Sequence, residues 1–134
     1  SSVYQKNEKW GVVLVGKKKW IIPDGFLQPK STGDQISHEA VCVLNLTEEN
    51  AEIQLIFYFE DRNPLETFFS ECGAKRTHHI RLDKIRDRDG NEVPRGVPYA
   101  IMVESSVPIV VQHSRLDTSQ EALALFTTIG YAFD

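Results

Sequence analysis

The chain has 134 residues, 41% of them hydrophobic and 25% charged, which suits one globular domain around one core and leaves too little for two. No run approaches the roughly 20 apolar residues that span a bilayer, so no membrane insertion is expected, and the first apolar run, Val12 to Val15, is too short for a secretory signal core. A net charge of −4 argues against non-specific nucleic-acid binding, whose affinity comes from Lys and Arg neutralising phosphates.

In chain order, short apolar runs dominate. V-V-L-V (12–15) and W-I-I (20–22) flank Gly16 and the triplet Lys17-Lys18-Lys19. A-V-C-V-L-N-L (40–46) is longer and holds Cys42 where a cysteine acts as a small hydrophobe. With Cys72 as the other cysteine, the expectation is two free thiols in a reducing cytoplasm rather than a disulfide scaffold. E-I-Q-L-I-F-Y-F-E (52–60) alternates, so Ile53, Leu55, Phe57 and Phe59 share one face. Runs at 77–82, 99–103 and 107–111 follow, and 125–133 is rich in β-branched and aromatic residues. Turn chemistry falls between them, at Pro23-Asp24-Gly25, Ser31-Thr32-Gly33-Asp34, Asn63-Pro64, Asp89-Gly90-Asn91 and Val97-Pro98. The polar stretch 86–96 reads as a long loop or an exposed hairpin tip. One helical signal stands out: Thr118-x-x-Glu121 has capping-box spacing and precedes A-L-A-L, which predicts about two turns of helix. Short strands so spaced predict an all-β fold, an antiparallel β-sandwich or barrel with one short helix near the C-terminus. A single domain over 1–134 accommodates all of it.

The polar residues sit in strand register. V-P-I-V-V (107–111) runs without a break into Q-H-S-R-L-D. Side chains alternate across a strand, so Val107, Ile109, Val111, His113, Arg115 and Asp117 fall on one face, which starts as core and ends in a titratable ring, a cation and a carboxylate. Burying such groups unpaired costs several kcal/mol each. They therefore pair with each other, sit at a mouth or edge, or meet something polar. Ser37-His38-Glu39 enters the strand 40–46 in the mirror-image way, with Glu39 in register with Val41 and Val43, and His38 with Ala40 and Cys42. Arg76 and His78 share a face with Ile80, while Thr77, His79 and Arg81 point the other way. Three readings stay open: a structural network, a polar subunit interface, and a ligand pocket at the strand ends.

Catalytic arrangements fit poorly. Ser114 lies on the opposite face of its strand from His113, so the obvious nucleophile and base do not meet. His38, His78 and His113 lack zinc-type spacing, and no cofactor or metal is expected. Glu39 and Asp117 are the only pair for carboxylate chemistry on a sugar, and the sequence does not set their separation. Arg with Gln, His and Asp does suit a hydroxylated or anionic small molecule, because guanidinium offers a planar fork of donors and carboxylates accept from hydroxyls. Trp20 and Tyr131 are candidate stacking platforms, with core aromatics the competing reading. Lys17 to Lys19, and Lys75-Arg76 running on to Arg81, are basic clusters that read first as solvated faces.

W-I-I-P-D-G-F, I-S-H-E-A-V-C-V-L-N, K-R-T-H-H-I-R, S-S-V-P-I-V-V-Q-H-S-R-L-D and T-T-I-G-Y-A together resemble the sensory rhodopsin transducer family, in order and with similar gaps, from about Trp20 to the C-terminus. Residues 1–19 form an N-terminal extension beyond the clear match, and the 86–96 loop is longer and more charged than the family pattern. The resemblance implies a jelly-roll type β-sandwich, a homotetramer and a prokaryotic small-molecule-binding role, for sugars or related metabolites. The family's polar motif residues fall on His38, Glu39, Arg76, His78, Gln112, His113, Arg115 and Asp117.

The expected function is a non-enzymatic cytoplasmic binding or signalling module. His38, Glu39, Arg76, His78, Gln112, His113, Arg115 and Asp117, with Trp20 nearby, would take a small hydroxylated or anionic ligand. The alternative is a protein-interaction adaptor or transcription-linked regulator whose polar cluster is structural or at a tetramer interface. The expected partners are further copies of the chain, the ligand and a protein, with nucleic acid disfavoured.

Overall fold

The computed structural model describes residues 4–7, 11–29, 37–117 and 124–134, and only the backbone for 4–7, 11–14, 117 and 124–126. Among them there are ten strands and no helix: β1 (Tyr4–Asn7), β2 (Gly11–Leu14), β3 (Lys17–Gly25), β4 (His38–Asn45), β5 (Ala51–Phe59), β6 (Leu65–Cys72), β7 (Arg76–Arg81), β8 (Tyr99–Asp117), β9 (Ala124–Ile129) and β10 (Tyr131–Phe133). Every pairing is antiparallel. β1 and β2 form a hairpin of their own; the other eight strands join in one sheet.

β8 organises that sheet. Its first part, Tyr99 to Ser105, pairs with β3 on one side and β5 on the other, and β10 and β6 add outside these. Its last part, from Val110, pairs with β4 and β9, and β7 adds outside β4. Between them Ser106, Val107 and Pro108 lack ladder partners apart from the β3 shift that brings Lys17 opposite Ile109. Pro108 has no N–H to give a ladder, so the exchange of partners falls where a missing donor costs least.

Alternation along β8 fixes what is inside. Tyr99, Ile101, Val103, Val107, Ile109 and Val111 are buried and join one core cluster with Val41, Val43, Ile53, Leu55, Phe57, Phe68, Ile80 and Leu82, and His113 is buried on the same face. Phe57 sits at the centre, edge-on to Phe68 and to Tyr99 at 5.3 Å between centroids, the geometry that aromatic quadrupoles favour.

Several expectations change. The runs 99–103 and 107–111 are one strand. Pro23-Asp24-Gly25 continues β3 instead of turning, because the register shift between Ile22 and Gly25 absorbs the proline. Leu65–Cys72, which the sequence did not flag, is β6. The predicted helix starts at Thr118 and runs into A-L-A-L; 118–123 lie outside the described residues, but β9 already starts at Ala124, so half of A-L-A-L is strand. The 86–96 stretch is a hairpin tip: Arg86 and Glu92 are bridged, and the Asp87 carboxylate accepts from the Asp89 and Asn91 amides, the Asn91 side chain and Thr67 Oγ1.

Candidate functional site

Residues 39, 41, 43 and 45 of β4 face inward, so the strand carries Glu39 into the core at 0% exposure. A lone carboxylate there would be prohibitive. Its oxygens are met from three other segments. Oε1 accepts from the Tyr99 hydroxyl at 2.5 Å. Oε2 accepts from the Phe26 amide at 2.8 Å and from Arg115 Nε at 2.6 Å, the last a short charge-assisted bond. His113 Nε2 lies 3.1 Å from Oε1, yet it makes no hydrogen bond with good geometry to any described residue. The contact is therefore one of proximity rather than a directed hydrogen bond.

The geometry of β8 explains the convergence. A straight strand would hold Tyr99 and His113 about 45 Å apart at roughly 3.3 Å per residue. Both meet the same carboxyl group, so β8 turns back on itself at the unpaired stretch. Glu39 then reaches from the half of the sheet holding β4 to the half holding β3 and β5. Gly25 makes room: a Cβ there would overlap the Tyr99 ring and stand 3.1 Å from Glu39 Oε1.

Electrostatics follow from these contacts. Burial alone pushes the Glu39 carboxyl up, but His113, the Tyr99 hydroxyl and the Phe26 amide outweigh it and hold the group below its ordinary value of 4.5. Burial, then the Glu39 charge, pushes the Tyr99 hydroxyl well up, so Tyr99 stays a donor. The pair is therefore a carboxylate with a neutral phenol, and Arg115, 18% exposed by its side chain, carries the charge toward the surface of the cluster.

The structure brings together Glu39, His113 and Arg115 of the residues singled out by sequence. His38 lies opposite Leu116 on the other face of β4, half-buried. Gln112 is exposed on the face away from His113. Asp117 ends β8 opposite Ala124, and its side chain is outside the described residues. Arg76 and His78 stand opposite Asn45 and Val43, about 20 Å along β4 from Glu39 for Arg76, and both are exposed. Trp20 is a core residue, 5% exposed, its indole N–H shared between the Lys17 and Ile109 carbonyls at 3.0 Å each; it offers no stacking surface. Tyr131 is 69% exposed and stacks on Phe133.

Sequence reasoning missed Tyr99, Gly25 and the Phe26 amide. Tyr99 shares the odd-numbered parity of His113, and that parity would have flagged it once the two apolar runs were read as one strand. Two surface depressions are present away from Arg115. One, about 600 Å³, is an open groove on β5, β6 and β8 among Glu52, Glu71, Glu104, Gln54 and Phe69; the other, about 360 Å³, lies beside Pro23, Tyr58 and Tyr99. No group of metal-ligating side chains occurs among the described residues, and no helix among them is long and apolar enough to cross a membrane.

An antiparallel all-β domain with a charged cluster where its two half-sheets meet is the class that these strands define. The family model of the Anabaena sensory rhodopsin transducer matches residues 15–132, and the chain belongs to that family. The match begins after the β1–β2 hairpin. A crystal structure of Thermotoga maritima 1070 is 40% identical and superposes with a TM-score of 0.79, covering 88% of this chain and 96% of that one. The Anabaena sensory rhodopsin transducer is 35% identical with a TM-score of 0.69, covering 81% and 96%. No curated protein matches the sequence.

Proposed function

We propose that the protein is a non-catalytic, cytoplasmic transducer-type module that binds a small hydroxylated or anionic ligand, such as a sugar or sugar acid, where Arg115 emerges from the cluster. In this reading the sheet closes as a jelly-roll sandwich and the chain works as a homotetramer. The observation that supports it most is the pairing of Arg115 Nε at 2.6 Å with a fully buried carboxylate while the Arg115 side chain keeps some exposure. Such an arginine is pre-oriented, so little rotamer entropy remains to be lost on binding. Glu39 is the orienter, not the acceptor, because Tyr99, Phe26 and Arg115 already occupy its oxygens. His113 acts as a charge neighbour and Asp117 as the acceptor for ligand hydroxyls.

One observation favours a second reading. The same saturation of Glu39 is what a purely structural or intersubunit network needs, and the protein is then an adaptor. A thermal-shift screen of wild type and Arg115→Ala against sugars, sugar phosphates and small carboxylates, with mass measured in parallel, separates the two. The binding module is expected to give a ligand that raises the Tm of wild type only, with both proteins at the mass of four 15.2 kDa chains. No shift with any ligand, and a variant that falls to smaller species, would leave the adaptor.

A further inference from the structure

β7 is an edge. It pairs with β4 and with no other described strand. Leu82 N–H donates to the Glu39 carbonyl, and the β4–β7 register is continuous from Ala40↔Arg81 to Asn45↔Arg76. Ladder bonds alternate along an antiparallel strand. Leu82, Ile80, His78 and Arg76 therefore bond inward to β4, and Thr77, His79 and Arg81 turn their backbone groups outward. The Arg81 carbonyl is taken by the Lys84 and Ile85 amides. Among the described residues, nothing bonds the N–H and C=O of Thr77 and His79 or the N–H of Arg81.

Exposed edges invite pairing, and proteins blunt them with bulges, prolines, short length or charge. β7 is six residues long, with no proline and no register shift. Charge is its only guard, and it has one sign. Lys75 to Leu82 reads K-R-T-H-H-I-R-L, with three formal positive charges and no acid, in a chain whose net charge is −4. Lys75 to His79 are all exposed. Arg81 is neutralised by Asp83 at 2.8 Å, whereas Lys75 and Arg76 form no ion pair with a described residue.

We propose that the free edge of β7 is a docking edge for an extended, acidic segment of a partner protein, taken up as an added strand. Main-chain bonds to Thr77, His79 and Arg81 supply the ladder, as in other strand-addition complexes. Lys75 and Arg76 select the sign of the incoming chain. The same charges reject a second β7, because like charges opposite each other in a ladder are destabilising. A nucleic acid would use the charge but leave the outward amides and carbonyls without partners in register.

The test uses the whole chain and an acetylated, amidated decapeptide alternating glutamate and valine, followed by fluorescence anisotropy at low salt. Binding is expected, at least tenfold tighter than to the lysine–valine counterpart. Methylating the peptide's amides on one edge is expected to weaken it tenfold or more, and so is His79→Pro, which removes an outward N–H. Should that variant lose its fold, Arg76→Glu reads the charge requirement alone, with the same expected loss. No binding of the acidic peptide would overturn the proposal. So would equal binding of the lysine peptide, indifference to amide methylation, or Arg76-dependent binding of a DNA duplex in its place.

Discussion

β4 buries a polar side chain at each end, Glu39 and Asn45, both fully enclosed and both on the core face. Asn45 closes a loop. Its amide nitrogen donates to the carbonyls of Glu49, Cys72 and Gly73, and its oxygen accepts from the amide and hydroxyl of Thr47. Those partners are mostly main chain, and the group is neutral. Glu39 instead gathers side chains from distant positions, and only Phe26 supplies an amide. A neutral amide serves a turn whatever the pH. A carboxylate gathers arginine, phenol and imidazole into one charged unit, and that unit responds to protons.

The largest way to separate the two ends is truncation. Glu39→Ala removes the carboxylate that Arg115, His113 and the Tyr99 hydroxyl face and is expected to cost about 3–5 kcal/mol, the range for breaking a buried pair, measured by urea unfolding. Asn45→Ala is expected to cost about 1–3 kcal/mol per the desolvation of stranded loop groups. If the two losses were equal, the distinction between a charged unit and a loop closure would fail. Gly25→Ala is expected to cost about 1–3 kcal/mol through overpacking against the Tyr99 ring, and Tyr99→Phe, which removes only the hydroxyl, about 1.5–3 kcal/mol. In the double variant the costs should not add, because both act on one contact.

The smallest effect is the most diagnostic. Glu39 is held below its ordinary value of 4.5, so the folded state binds this proton less readily than the unfolded one. Its contribution to stability is then complete above about pH 4.5 and is lost as pH falls through the lower folded value. Glu39→Gln is expected to flatten that part of the acid limb in pH-dependent unfolding. Asn45→Ala is expected to shift the whole curve down without changing its slope. Asp83, whose carboxyl is also held low with Arg81 as partner, keeps some acid dependence in both variants.

Much of this was legible in the sequence, for identifiable reasons. Parity alone put His113 and Arg115 on the face of Val107, Ile109 and Val111, and Glu39 on that of Val41, because a buried strand end leaves polar residues in phase with the core. Parity could not say that Glu39 would meet Tyr99, sixty residues away, because that contact depends on where β8 turns. Nor could it separate Arg76 and His78 from the cluster, since motif order carries no distance along the paired strand. β6 escaped notice because L-E-T-F-F-S-E-C is an edge strand with much of its length exposed, and Phe68 and Cys72 are its only buried side chains. Trp20 looked like a platform because an indole beside lysines suits a surface; its N–H instead found two carbonyls inside.

One consequence of β8 concerns the order in which the molecule can be made. Its ladder partners come from 17–25, 38–45, 51–59 and 124–129, that is, from both sides of it along the chain. Among the described residues, a nascent chain that has not yet exposed residue 99 can pair β1 with β2, β5 with β6 and β4 with β7, and the core faces of β4 and β5 then lie uncovered by β8. Such long-range closure is slow, and uncovered strands are open to misassociation while it waits. The two half-sheets can therefore join only once β8 has left the ribosome, and the earlier pieces then find their common seam along it.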